Sequence, residues 1–159
     1  MSVDISAIVG EISWTQSVTN SGFVKTTQGP DKLTATLAPD TTTYNRIYAV
    51  KGTLAGGASV TINLQGVTDY LNQSLTLTKI IAFMLKATTT GMKFEPGASN
   101  ALTWPLTGTS PVLTVQAGGF FIIGDGAAHT VSATDKNFKI TNLDGAVTGT
   151  YEIALIGGQ

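Results

Sequence analysis

The sequence predicts an all-β fold, an antiparallel β-sandwich of jelly-roll-like form, from three observations. Apolar and polar residues alternate with period two in many short runs, as they do in half-buried strands. Glycine, proline, asparagine and aspartate separate these runs at intervals near the ~8–12 residues typical of sandwiches and barrels. No helical periodicity longer than a turn or two occurs. The chain of 159 residues fits a single domain over 1–159, with residues 1–10 as a candidate N-terminal arm.

The first elements are three modest strands. Residues 11–18 alternate around Ile12 and Trp14, which predicts the first strand. Turn-forming residues at 20–22 and 28–31 then divide the chain into short strands, the last of them at 33–37.

The next two strands are predicted to form a β-hairpin. Residues 46–54 form one alternating run, and residues 58–64 form the most regular alternation in the chain. The connection Ala55-Gly56-Gly57 has the composition of a tight turn, which favours direct pairing of the two strands. Residues 65–74 fit either a long loop or one short helical turn.

The run at residues 80–85 is apolar on both faces of the strand that it predicts. One face would carry Ile81, Phe83 and Leu85, and the other Ile80, Ala82 and Met84. The run is far shorter than the roughly 20 apolar residues of a membrane-spanning helix. We therefore expect an interior strand that is covered on both sides.

The remaining elements are short strands separated by turns. Gly124-Asp125-Gly126 predicts a turn, and Asp144-Gly145 predicts a hairpin turn between the last two strands. Pro105 has no N–H group and is expected at a sheet edge or bulge. The predicted strands are 92–94, 102–106, 112–115, 120–123, 129–133, 137–141 and 150–156.

The composition argues against several classes of function. Charged residues make up 12% of the chain, the net charge is −1, and the lysines and Arg46 are scattered, whereas nucleic-acid binding needs a concentrated basic face. The absence of cysteine excludes disulfides and thiolate sites. Residues 1–11 lack the basic and apolar regions of a signal peptide, so we expect synthesis in the cytoplasm.

No pattern predicts an enzyme, a metal site or a cofactor. His129 is the single histidine and lacks an evident catalytic partner, so a half-exposed strand residue is the simpler interpretation. Asp125 and Asp144 could offer oxygen ligands to calcium, but each lies in a glycine turn without further acidic residues close by. Turn formation is the favoured role of both.

Aromatic residues leave open a carbohydrate-binding function. Trp14, Tyr70 and Trp104 could stack on sugar rings if they were exposed to solvent. Aromatic side chains at apolar positions of alternating strands are more often part of a core. The alternative function is therefore a carbohydrate- or host-surface-binding module of fibre or adhesin type.

Two strands with apolar residues on both faces predict an interface. A two-layer domain covers one face of each strand, and large uncovered apolar patches usually mark interaction surfaces. We expect a homo-oligomer with closed cyclic symmetry, and we favour a trimer. The candidate interface residues are Ile80, Ala82, Met84, Phe120 and Ile122.

Three segments near the C-terminus resemble the closing strands of small virion structural proteins of tailed bacteriophages. These segments are residues 117–123, 138–143 and 149–157, within about the final forty residues. The resemblance implies a β-sandwich or jelly-roll module that decorates heads or builds fibres and tails, and it brings no catalytic residue. We therefore expect a non-enzymatic virion protein, a capsid decoration or similar subunit whose partners are capsid or other virion proteins, without nucleic-acid or membrane binding.

Overall fold

A computed structural model describes residues 8–19, 25–37, 46–68, 74–108 and 110–158, and these residues are all-β. They form strands β1 to β12, and none of them lies in a helix. The strands are β1 (Ile8–Thr19), β2 (Lys25–Leu37), β3 (Arg46–Leu54), β4 (Ser59–Asn63), β5 (Val67–Thr68), β6 (Ser74–Leu75), β7 (Lys79–Ala87), β8 (Met92–Pro96), β9 (Leu113–Val115), β10 (Phe120–Thr130), β11 (Asn137–Asn142) and β12 (Gly149–Gly158).

Two four-stranded antiparallel sheets pack against each other, which confirms the predicted sandwich. The first sheet has the strand order β10-β7-β12-β3, and the second has the order β4-β11-β8-β9. Strands β1 and β2 form a separate antiparallel pair, as do β5 and β6. The two-faced run at residues 80–85 lies in β7, between β10 and β12.

Four phenylalanines join the two sheets at the centre of the core. Phe83 and Phe121 come from the first sheet, and Phe94 and Phe138 from the second. The Phe83 ring centroid lies 4.8 Å from that of Phe94, 5.9 Å from that of Phe138 and 6.3 Å from that of Phe121. These tilted and edge-on arrangements are the favoured geometries of aromatic pairs, so the cluster stabilises the contact between the sheets.

The predicted hairpin between residues 46–54 and 58–64 is wrong. Strand β3 pairs with β12 in the first sheet, and β4 pairs with β11 in the second. The turn between them crosses from one layer to the other. The hairpin predicted around Asp144-Gly145 is wrong for the same reason, because β11 and β12 lie in different sheets. In both cases a turn forms where the sequence predicts one, but the strands on either side of it pair with strands that are distant in the chain.

Two predicted turns lie inside strands. Residues 28–31 belong to the continuous strand β2, whose pairing with β1 shifts register between Trp14 and Gln16. Residues 124–126 belong to β10, whose pairing with β7 shifts between Gly124 and His129. Glycine in a strand often marks such an irregularity rather than a turn.

The strand predicted at residues 102–106 does not form. This segment runs as a bend that contains the cis peptide bond between Trp104 and Pro105. Leu102 is still buried in the core, as its apolar character predicted. The Leu102 N–H donates to the Asn137 carbonyl oxygen at 2.7 Å, but proline cannot donate to a strand ladder, so this pairing does not continue through the segment.

Asn142 closes one end of the sandwich. Its side chain is 2% exposed, and its Nδ2 donates to the carbonyl oxygens of Leu54 (3.1 Å), Ala55 (3.1 Å) and Val147 (2.8 Å). Its Oδ1 accepts hydrogen bonds from Thr90 Oγ1 at 2.7 Å and from the Asp144 N–H at 3.1 Å. One amide therefore ties together three connections between the sheets.

Candidate interaction surface

The two outer faces of the sandwich differ in chemistry. The outer face of the second sheet carries hydroxyl, amide and charged side chains, as a solvated sheet face should. The residues that point outward there are Ser59, Thr61, Asn63, Lys93, Glu95, Thr114, Asn137, Lys139 and Thr141. The outer face of the first sheet is mainly apolar, and this contrast singles it out as the candidate interaction surface.

The charged side chains on the outer face of the second sheet form ion pairs with one another. Glu95 lies 2.9 Å from Lys93 Nζ and 2.6 Å from Lys139 Nζ. Burial alone would raise the pKa of Glu95, but the hydrogen bonds and charges of Lys139 and Lys93 outweigh burial and hold the pKa below its ordinary value. These charges satisfy one another within the subunit.

Three rows of side chains cross the outer face of the first sheet. Residues directly opposite one another on neighbouring strands share a face, so the strand register defines each row. In the strand order β10, β7, β12, β3, the first apolar row is Ile122, Met84, Ala154 and Ala49. The second apolar row is Gly124, Ala82, Ile156 and Ile47. The charged row is Phe120, Lys86, Glu152 and Lys51.

Strand β10 supplies the most exposed apolar side chains of this face. Phe120 is 69% exposed and Ile122 is 39% exposed, whereas Phe121 and Ile123 on the opposite side pack against the core. The period-two alternation of a strand places these neighbours on opposite faces. A two-faced run at a sheet edge thus leaves two large apolar groups in contact with water.

Four of the five predicted interface residues share this face, and Ile80 does not. Ala82, Met84, Phe120 and Ile122 lie in the three rows. Ile80 is fully buried and belongs to the core cluster, so its assignment to the interface is wrong. Ala82 is 4% exposed but lies outside that cluster and lines a depression on the outer face. The pairing of β12 with β7 shifts register between Ile156 and Gly157, opposite Ile80 and Ala82, which turns Ile80 inward.

The charged row is internally paired. Glu152 lies between two lysines, 3.3 Å from Lys86 Nζ and 3.7 Å from Lys51 Nζ. All three side chains are partly exposed, so this network contributes little to folding stability. Its alternating signs instead give this edge of the face a defined charge pattern.

Shallow depressions interrupt the face where its side chains are small. One is lined by Ala82, Met84, Ile122, Ala154 and Ile156. Another lies beside Ala49, Met84 and Ala154. The face therefore presents large side chains along β10, one recess between β10 and β12 and another between β7 and β3.

The predicted sugar-stacking residues do not come together in one described site. Trp104 is half-buried against the core, and its ring stacks on His129 at a centroid distance of 6.2 Å and an angle of 16°. Trp14 lies in β1, opposite Asp31. Tyr70 lies outside the described residues.

His129 has a partner that the sequence did not indicate. Its Nε2 lies 3.2 Å from Asp135 Oδ2, and Asp135 also accepts hydrogen bonds from the Thr103 N–H and Oγ1. Asp135 is thereby held by the segment that precedes Trp104, so this contact anchors that segment to the end of β10. We assign the contact a structural role.

A groove of about 540 Å³ runs beside the second sheet. Apolar residues Leu106, Pro111 and Val112 form one side of the groove, and the Glu95–Lys139 ion pair lies at the other. The described lining residues include no aromatic side chain. Trp104 therefore does not line this groove.

Asp144 forms the turn that its sequence context predicts. Its Oδ1 accepts hydrogen bonds from the N–H groups of Ala146 and Val147, both at 2.8 Å, and these bonds lower the pKa of Asp144.

Across the described part of the chain, no group of three histidine, cysteine or acidic residues could hold a metal ion. No described segment is a helix of the length and apolarity that crossing a membrane requires.

Two sequence comparisons were negative. Neither a scan against protein-family models nor a search of curated protein sequences found a match to this chain.

Proposed function

We propose that this protein is a non-enzymatic structural subunit of a tailed-bacteriophage virion, a capsid decoration or similar capsid-associated protein. The observation that carries the proposal is the apolar outer face of the first sheet. Isolated soluble proteins rarely leave contiguous apolar surface of this kind uncovered, and such surface is typical of assembling subunits. The resemblance of residues 117–123, 138–143 and 149–157 to closing strands of phage virion proteins supplies the biological setting.

We also propose that the two sheets form a jelly roll. Among the eight described strands of the two four-stranded sheets, only β8 and β9 follow each other in the chain and lie in the same sheet, and every other step along the chain passes between the sheets. Eight strands in two sheets with such crossings are typical of jelly rolls, which occur in viral capsid proteins and in lectins. This fold supports a virion role by analogy only, since one fold hosts many functions.

Mass spectrometry of purified virions tests the virion role. Particles from cells that encode the chain should contain it in high copy number, and it should stay with the particles through density-gradient purification. An abundant host protein of similar mass, followed through the same gradient, controls for contamination. Absence of the chain from purified particles would overturn the proposal.

Carbohydrate or host-surface binding is the second candidate function. The groove beside Leu106, Pro111 and Val112 favours it, because Thr107 and Ser110 place hydroxyl groups beside an apolar wall. Glycan-array binding that Leu106→Ala or Ser110→Ala abolishes would support this candidate. Specific sugar binding by a protein that is absent from virions would favour it over the structural role.

A further inference from the structure

We infer that the outer face of the first sheet binds the same face of a second copy, in a two-fold dimer whose axis runs parallel to the strands. This inference depends on the structural role proposed above and names the partner of its surface. A two-fold rotation would place complementary residues of the two copies opposite one another.

A two-fold axis parallel to the strands exchanges the order of the strands but keeps each row at its level. Strand β10 of one copy then lies over β3 of the other, and β7 lies over β12. Each row of one copy therefore faces the same row of the second copy, with the order of its residues inverted. Packed sheets cross at about 30°, and the alignment is best preserved near the axis, between β7 and β12.

The first apolar row matches the inverted row of the second copy in side-chain size. Ile122 would lie over Ala49 of the second copy, and Met84 over Ala154. Both small residues border the depressions described above. Large side chains therefore meet recesses, which is the shape relation that interface packing requires.

The second apolar row repeats the same relation. Ile47 would lie over Gly124, and Ile156 over Ala82. Each pair again joins a large residue to a small one. Neither row brings two large side chains into direct opposition.

The charged row and the inverted row of the second copy place opposite charges against each other. Lys86 would face Glu152 of the second copy, and Glu152 would face Lys86, both on the central strands. Phe120, which is 69% exposed, would lie over Lys51, where a cation can contact an aromatic ring. Charge complementarity of this kind selects orientation and partner.

Other symmetric arrangements of the face do not satisfy these relations. An in-plane axis perpendicular to the strands would place the charged row over the second apolar row, so that Lys86 would meet Ala82 and Glu152 would meet Ile156. Desolvating charges against apolar groups is costly. A three-fold ring joins two different patches and cannot pair this face with itself. A two-fold dimer is therefore preferred over the trimer expected from the sequence.

Analytical ultracentrifugation of the full chain tests the dimer. The wild-type protein should dimerise at tens of micromolar, and Ile122→Lys should weaken dimerisation more than about tenfold, because it places charge in an apolar contact. Val147→Lys is the matched control, since Val147 is 49% exposed and lies outside the three rows. It should dimerise like the wild type. Unchanged melting temperatures would show that both variants fold.

A pair of charge variants tests the orientation. Lys86→Glu makes the centre of the charged row acidic, and Glu152→Lys makes it basic, so each variant alone should dimerise poorly. An equimolar mixture of the two should form a heterodimer, because each row then faces its opposite. A dimer that is insensitive to these substitutions uses another surface, and it would overturn the inference.

The outcomes also separate this inference from the proposed function. A chain that is monomeric at all concentrations but abundant in virions would overturn the dimer and leave the structural role standing. A dimer with the expected variant pattern that is absent from virions would support the interface and overturn the virion role.

Discussion

The Phe83 and Phe94 rings pack with their centroids 4.8 Å apart and link the two sheets. Phe83 lies on β7, a central strand of the first sheet, and Phe94 lies on β8, a central strand of the second. Both side chains are at most 2% exposed. This contact makes the two-faced strand β7 the point at which the layers meet.

Phe83→Ala should therefore lower the free energy of unfolding by about 3–5 kcal/mol, the cost of emptying a large core site. Phe120→Ala is the matched control, because it removes the same ring from an exposed position. It should cost well under 1 kcal/mol when urea unfolding is measured at a concentration too low for dimerisation. Equal losses in the two variants would contradict the assignment of the core.

Asn142→Asp should destabilise the protein by about 3–5 kcal/mol, as an uncompensated buried charge does. An ionised carboxylate cannot donate to the carbonyls of Leu54, Ala55 and Val147, and it would repel them. Part of the loss should be recovered at acidic pH, where the carboxyl is protonated and donates again. Urea unfolding at two pH values measures both effects.

The control for this substitution is Asn63→Asp. Asn63 is exposed, and its Oδ1 accepts the Gln65 N–H at 3.0 Å, which a carboxylate can also do. We expect little change in stability. A large loss at Asn63, or none at Asn142, would show that Asn142 does not organise the connections.

Gly149→Ala should cost about 1–3 kcal/mol through overpacking. A β-carbon at this position would collide with Thr90 Oγ1 and would come within 2.5 Å of Met92 Cε. Gly145→Ala, four residues earlier, is the matched control, since nothing lies within 4 Å of its added carbon. Thermal unfolding of both variants should separate them, and similar melting temperatures would contradict the tight approach at Gly149.

Alkaline pH should destabilise the protein through Tyr48. Burial, together with the charge of Tyr151, raises the pKa of Tyr48 from 10.0 to about 12. The folded state keeps a proton that the unfolded state releases above pH 10, so this contribution is complete below pH 10 and is lost between pH 10 and about 12. The free energy of unfolding should therefore fall as the pH rises from 10 towards 12.

Tyr48→Phe checks the origin of this pH dependence. Urea unfolding between pH 9 and 11 should show a smaller decline in the variant, because its buried ring cannot ionise. Burial also raises the pKa of Tyr151, so some decline should remain. An identical decline in wild type and variant would exclude Tyr48 as its source.

The candidate surface was partly predictable from the sequence. Phe120, Ile122 and Met84 belong to runs that are apolar on both faces, and period-two alternation alone separates inward from outward positions. Glu152, Ala154 and Ala49 gave no such signal, because their place beside Met84 and Lys86 depends on long-range pairing. Ile80 was assigned to the wrong face, because a register shift is invisible in the alternation of a single strand.

The all-β class and most strand positions follow from the amino-acid sequence, because alternation and turn chemistry are local properties of the chain. The choice of pairing partner for each strand arises only in the folded molecule. Leu54 and Ser59 are five residues apart, yet their strands join different sheets, because β3 and β4 find their partners in β12 and β11. The same long-range pairing set Lys86 beside Glu152, 66 residues away in the chain, and so created a row of alternating charge. Each strand must bury one face against an element that is distant in the chain, and short-range sequence patterns do not specify which element that is.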